Sequence, residues 1–146
     1  MVKIGTRDEY RKMLGNKKRI WRDGCPFCDL EEQEEYVVWR GKCWALLISK
    51  FSYTGDDQHI VAIPYTHKKF FIELTEAEVI EFQEVHKEVK KFFGEKPYFS
   101  FTRDTDCDIS KSVEHFHTHF IGSELQGKYI RKMLEDQGFP VKTEGF

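Results

Sequence analysis

The chain has little that would carry it into a membrane. No apolar run among its 146 residues approaches the ~20 needed for a helical span. The stretch Met1-Val2-Lys3-Ile4-Gly5 has no signal-peptide apolar core, so a cytoplasmic location is expected. An excess of one charge is missing too. Lys plus Arg number 23 against 25 for Asp plus Glu, a formal net charge of -2, which gives no global attraction to nucleic acid. Basic stretches such as Lys87 to Lys91 and Lys128 to Lys132 are mixed with acids or apolar residues and read as solvated helix faces. The run from Lys17 to Arg22 keeps a role on nucleic-acid ends open. No repeat, low-complexity segment or internal boundary divides the chain, and a single domain over residues 1–146 is expected. Cysteine is sparse. The chain has four and no second Cys-x-x-Cys, so a zinc bound at the one such pair is expected to draw its remaining ligands from histidines. What remains is a charged, aromatic-rich composition, that of a globular protein with a phenylalanine-rich interior.

Against this background one run stands out, His115-Phe116-His117-Thr118-His119-Phe120-Ile121. Half of the six histidines in the chain fall within five residues. Side chains on a strand alternate between faces, so the three imidazoles share one face and Phe116, Thr118 and Phe120 the other. Such a face can bind a metal, or meet a phosphate and attack it. As a chelating set for a catalytic metal it is poor, because alternate side chains sit ~6.5–7 Å apart along a strand.

Patterning around the run predicts an α+β domain. Residues 6–15 suit a short helix, with Thr6 as cap, Glu9 three residues on and Gly15 as the stop. Glu35 to Arg40 and Cys43 to Lys50 read as a strand pair turned at Gly41-Lys42. His59 to Pro64 is a buried strand ended by its proline. A long helix runs from about Thr75 to Phe93, opened by the capping box Thr75-Glu76-Ala77-Glu78 and stopped by Gly94. Its expected apolar face is Val79, Phe82, Val85, Val89 and Phe92, with His86 an ordinary boundary residue. Tyr98 to Arg103 and Glu114 to Ile121 complete the strands, residues 104–112 are an acidic loop, and Gly127 to Gln137 form a last helix. Short links favour a mostly antiparallel five-stranded sheet with the helices on one side.

Cys25-Pro26-Phe27-Cys28 can chelate one metal or form a redox dithiol. A redox motif should follow a buried strand and open an amphipathic helix. Lys17 to Gly24 shows no strand pattern, and Asp29 to Glu35 is largely acidic, so zinc is favoured. Two thiolates need two more ligands, and the candidates are His59, His67 and the triplet. Cys43 reads as a core residue. Cys107, among aspartates, has no assigned role.

His115 to Ile121 resembles the histidine triad signature, His-apolar-His-apolar-His followed by two apolar residues, with Thr118 a mild departure. The resemblance continues through Cys25-x-x-Cys28, through His59-Ile60-Val61-Ala62-Ile63-Pro64-Tyr65-Thr66-His67 and through the helix opened by Leu74-Thr75. It thus covers about residues 25–122, leaving 123–146 as a C-terminal helix and tail. It implies an enzyme acting at the α-phosphate of a nucleoside phosphoramidate, ester or dinucleotide polyphosphate, as hydrolase or nucleotidyl transferase. On this resemblance His117 is the nucleophile. His119 contacts phosphate oxygens and supports the leaving group, and Ser112 supplies a hydroxyl. The zinc-binding branch of the family implies a structural zinc held by Cys25, Cys28, His67 and His115. A homodimer is implied as well. The sequence departs from the family at Ser110-Lys111, where Gly-Gln is usual, and at Thr102-Arg103-Asp104, where an Asn is favoured. Lys111 and Arg103 are therefore expected to contribute phosphate contacts. The loop Gly55 to His59 is longer than the family's. Two rivals follow: a zinc-stapled binding module that has kept the triplet without turnover, and a metal-dependent hydrolase.

Overall fold

The computed structural model describes residues 2–14, 25–104, 113–122 and 128–136. Helix α1 (Arg7–Leu14) starts where its cap lies, with Thr6 Oγ1 accepting from the Glu9 N–H at 3.1 Å. Gly15 and the acidic loop from residue 105 lie outside the described residues. Strands β1 (Val37–Arg40), β2 (Trp44–Ile48), β3 (His59–Pro64), β4 (Phe99–Thr102) and β5 (Thr118–Ile121) form one sheet in the order β1-β2-β3-β5-β4. Every neighbouring pair in it is antiparallel. The expected α+β architecture with a five-stranded sheet, a long helix and short flanking helices is what the chain forms.

The long helix α2 (Glu76–Phe93) has the predicted capping box, Thr75 accepting from the Glu78 N–H and Glu78 accepting in return from the Thr75 N–H. Gly94 ends it at φ 63°, ψ -123°, a conformation open essentially to glycine alone. Val85 and Val89 face the sheet as expected, but Phe93 is buried where Phe92 is only partly so, and Val79 is exposed. The face of the helix that meets the sheet is therefore rotated away from its first turn. That turn is tied instead by Glu78, which receives the Thr66 hydroxyl at 2.7 Å, and by its carbonyl, which accepts the Trp44 indole N–H at 2.7 Å.

The two faces of the sheet carry different chemistry. Trp44, Leu46, Ile60, Ala62, Phe116 and Phe120 pack with α2 in the larger core. On the other face Ala45, Leu47, Val61 and Ile63 pack with Phe27, Leu30 and Val113, so the Cys-Pro-Phe-Cys turn forms part of the covering layer. The helices do not share one side. Arg7 and Tyr10 of α1 line a cavity with His59 and His119, on the face away from α2. Helix α3 (Lys128–Asp136) is present near the expected bounds, with Asp136 Oδ2 4.0 Å from Arg7 Nε.

Strand β5 is shorter than predicted. The last rung it makes with β3 is Ala62–Thr118, and two residues further β3 reaches Pro64, which has no N–H for a ladder. The chain before Thr118 therefore pairs irregularly, with the Phe116 N–H donating to the Lys68 carbonyl at 2.6 Å. Of the three clustered histidines only His119 lies in the strand, yet all three are buried.

Candidate functional site

The turn that carries Cys25 and Cys28 closes through the Cys28 N–H, which donates to the Cys25 carbonyl at 3.3 Å. No α-helix follows it; the next element is a 3-10 helix, Glu31–Tyr36. This is not the strand-turn-helix setting of a redox dithiol. The turn packs against the end of β3 and the approach to β5, where His67 and His115 lie. His115 Nδ1 is 3.4 Å from Cys25 Sγ and 3.5 Å from Cys28 Sγ, and His67 Nδ1 is 3.2 Å from Cys28 Sγ. The four donor atoms all fall within 4.8 Å of one another. Tetrahedral zinc, with Zn–S ~2.3 Å and Zn–N ~2.0–2.1 Å, spaces a nitrogen and a sulfur ligand by about 3.6 Å. The sulfur-nitrogen separations are within a few tenths of an ångström of that edge.

Hydrogen bonds fix the ring states to suit. His115 Nε2–H donates to the Pro64 carbonyl at 2.7 Å, and His67 Nε2 points at Glu114 Oε1 at 3.5 Å. Each ring thereby turns a lone pair on Nδ1 toward the thiols, the arrangement of metal-bound histidines with outer carbonyl or carboxylate partners. The Cys28 thiol is pushed up to about 11, by burial first and then by Cys25 beside it. Two thiols this close do not both ionise without a cation. The donor set is compatible with a metal site in composition and geometry.

Next to it the other two clustered histidines are held in opposite tautomers. A carbonyl oxygen only accepts, so the 2.7 Å contact from His117 Nδ1 to the His115 carbonyl places the proton on Nδ1. The Nε2 of His117 keeps its lone pair. His119 takes its tautomer from His59. The Tyr53 backbone N–H donates to His59 Nδ1 at 3.1 Å, so His59 carries its proton on Nε2 and gives it to His119 Nδ1 at 2.8 Å. The proton of His119 is then on Nε2, which is buried and has no hydrogen-bond partner. His117 and His119 meet edge to face with ring centroids 4.8 Å apart.

Packing and charge keep this pair of states in place. The Phe101 ring stacks on His119 at 4.5 Å and 11°, and Tyr53 stacks on His59 at 5.2 Å. Burial, followed by the charges of Arg7, His117 and Arg103, drives His59 down to about 3. His119 is pushed well below its ordinary 6.5, again by burial first and then by His117, His59, Arg103 and Arg7. Both are neutral imidazoles near pH 7.

A cavity of ≈ 70 Å³ lies over these rings, lined among others by His59, His117, His119, Phe27, Arg7 and Arg103. Arg103, directly after β4, is among its lining residues. The structure thus brings Cys25, Cys28, His67 and His115 together at one point and His117, His119 and Arg103 at the next. Phe27 lies between, with its ring 6.1 Å from His115 and 5.2 Å from His117. Ser112 and Lys111 lie outside the described residues. Sequence reasoning considered His59 only as a metal ligand and missed its hold on His119. It missed Arg7 and Tyr10 because charged residues on a short N-terminal helix look like a solvated face.

No family model matches the sequence. No curated protein matches it either. Solved structures do resemble the fold. A HIT family protein from Bacillus subtilis aligns with TM-score 0.58 and 19% identity over 85% of this chain and 84% of its own. A Zn-bound histidine triad family protein from Mycobacterium smegmatis aligns with TM-score 0.57 and 14% identity over 79% of this chain and 94% of its own. A HIT family hydrolase from Clostridium thermocellum aligns with TM-score 0.54 and 20% identity over 73% of this chain and 96% of its own. The chain has the histidine triad fold.

Proposed function

We propose that this chain is a nucleotide hydrolase or nucleotidyl transferase working through a histidine nucleophile, with a structural zinc beside the reacting centre. The observation that carries the reading is the pair of opposed tautomers, a lone pair on His117 Nε2 beside a proton on His119 Nε2. The first can attack an electrophilic phosphorus. The second can donate to an oxygen that gains charge as the leaving group departs.

In the first step a bond forms between His117 Nε2 and the α-phosphorus, and the bond from phosphorus to the leaving group breaks. His117 becomes a cationic nucleotidyl-imidazole. Its Nδ1–H, held by the His115 carbonyl, places a fixed dipole against that charge, as the orienting acceptor does in other nucleophile-base pairs. His119 stays protonated on Nε2 throughout and acts by hydrogen bonding, since His59 occupies its other nitrogen. The leaving group takes its proton from solvent. Water, or another acceptor, then attacks phosphorus, the P–N bond breaks, and His117 returns neutral while the attacking oxygen releases its proton to solvent. Arg103 supplies positive charge toward the phosphate, and Ser112 and Lys111 are assigned to the same phosphate.

Zinc fits Cys25, Cys28, His67 and His115 by ligand type and spacing. With no open position among four protein ligands, it would supply rigidity to the segment carrying His117 and not an activated water.

The test is turnover of adenosine 5′-phosphoramidate and of a dinucleotide polyphosphate by the wild type and by His117→Ala. The expected result is turnover by the wild type and a loss of at least about 10²-fold in the variant, with unchanged thermal unfolding. Wild-type protein that binds nucleotide and turns over neither substrate would sink the catalytic reading in favour of a binding module.

A further inference from the structure

The cavity over the histidines has more donors than one attacked phosphate needs. Besides His119 Nε2, three buried side-chain atoms in residues lining it make no hydrogen bond: Arg7 Nε, Tyr10 Oη and Arg103 Nη1. Each can donate. A buried donor without an acceptor is costly, and grouping several of them at one cavity points to an absent acceptor group.

The way Arg7 is held sharpens this. Its guanidinium lies 4.5 Å from the centre of the Tyr10 ring and 4.9 Å from that of Tyr53. Ring faces orient a guanidinium without using its in-plane N–H groups. Among the described residues the polar contacts to Arg7 are long, 3.5 Å from Nη1 to the Phe51 carbonyl and 4.0 Å from Nε to Asp136 Oδ2. Arg103 is desolvated by burial, bonded to Tyr53, and close enough to Arg7 for the two charges to oppose each other. His59 and His119 are neutral and offset nothing, so the described carboxylate facing the pair is Asp136, 4.0 Å from Arg7 Nε, one negative charge against two positive ones. Two cations desolvated at one cavity wall are stable together when an anion lies between them.

We infer that Arg7, Tyr10 and Arg103 form a second anion subsite beside the histidine pair, one that takes a further phosphoryl group linked to the phosphate under attack. The subsite rests on the proposed function in that the histidines serve the first phosphate. It makes helix α1, which lies N-terminal to the histidine triad resemblance, a specificity element. A substrate with a single phosphate would leave Arg7 and Tyr10 unpaired, while a pyrophosphate unit would satisfy both.

The experiment measures calorimetric binding of inorganic pyrophosphate and of inorganic phosphate to the full chain, beside the turnover assay. Wild type is expected to bind pyrophosphate at least about tenfold more tightly than phosphate, since a charge-assisted contact is worth a factor of that order. Arg7→Gln should remove most of that preference, and Tyr10→Phe should reduce it by about two- to tenfold. Should Arg7→Gln fail to fold, Tyr10→Phe, which deletes one hydroxyl and leaves the ring, decides. Equal binding of the two anions by wild type, or an undiminished preference in the variants, overturns the subsite. Turnover without the preference removes the subsite and leaves the catalytic reading standing. The preference without any turnover does the reverse.

Discussion

His59 offers a way to separate the two ends of the hydrogen-bond chain that sets His119. Its Nδ1 accepts from the Tyr53 N–H at 3.1 Å and its Nε2–H donates to His119 at 2.8 Å. An asparagine at this position has an amide oxygen that can take over the acceptor end, near Nδ1, but cannot reach as a donor to His119. A glutamine places its amide nitrogen near the former Nε2 and keeps the donor end, leaving the Tyr53 N–H without an acceptor. Each variant loses one buried hydrogen bond, so both should be less stable by about 1–3 kcal/mol. The activities should diverge. In His59→Asn nothing holds the His119 proton on Nε2, and a lone pair turned toward a phosphate oxygen repels it. The expected loss in kcat/KM is about 10- to 100-fold, or ~1.4–2.8 kcal/mol of transition-state stabilisation. His59→Gln should stay within about threefold of wild type, because the donor bond survives. Urea unfolding gives the stabilities, and phosphoramidate turnover gives the rates. Equal activity in the two variants, whether both are impaired or both intact, would refute the relay.

Three further outcomes follow from the same geometry. His59 has a folded-state value of about 3 against an ordinary 6.5, and it faces Arg7, His117 and Arg103 as well as His119. Its contribution to stability is complete above pH 6.5 and is lost as pH falls, by about 1.4 kcal/mol per pH unit toward pH 3. Urea midpoints from pH 7 to pH 4 should show a shallower fall in His59→Gln than in wild type. Glu81 receives the backbone N–H groups of Lys42, Cys43 and Trp44 at 2.7, 2.6 and 2.9 Å, tying α2 to the turn between β1 and β2. Glu81→Ala should cost about 2–3 kcal/mol in urea unfolding without loss of bound metal. Metal analysis should find about one zinc per chain, and Cys25→Ser or chelation should lower Tm by about 10 °C or more. His117→Ala should keep its zinc, and the same loss of metal there would argue against the assignment of His115 as the ligand.

Local chemistry was legible in the sequence where a single residue type decides it. Thr6 and Thr75 cap their helices, Gly94 ends α2, and His59–Pro64 forms β3 with the predicted bounds. Prediction failed where a partner decides. Alternation of His and apolar residues continues back to His115, but the ladder does not, because the strand facing it ends in Pro64. The register of α2 on the sheet could not be read from its own apolar spacing. Phe92 and Phe93 both fit a helical stripe, and the choice of Phe93 depends on contacts such as Tyr98, stacked on it at 4.9 Å. Ligand arithmetic reached Cys25, Cys28, His67 and the triplet as candidate metal donors, but the choice of His115 came through a resemblance, since residues 25–28, 67 and 115 approach each other solely through the sheet. Arg7 gave no signal at all, because nothing in an eight-residue helix reveals that one guanidinium is drawn inward between two tyrosine rings.

The His115 residue joins the two halves of the site. Its ring faces the thiols and His67, and its carbonyl accepts from His117 Nδ1. A peptide carbonyl moves with its own residue, so whatever fixes the His115 ring also fixes the acceptor that sets the His117 tautomer. The Pro64 carbonyl fixes one side of that ring at 2.7 Å, and metal coordination would fix the other. On the N-terminal side of Thr118 there is no ladder to do this work, because β3 has run out of donors at its proline. A strand that continued to His115 would hold the backbone by itself and would need no metal. On the proposed function, the early end of β5 would therefore account for a structural metal beside a nucleophile that does not use it for chemistry. Bound there, the metal would replace the missing rungs, and its removal should disorder the tautomer of His117 before it unfolds the sheet.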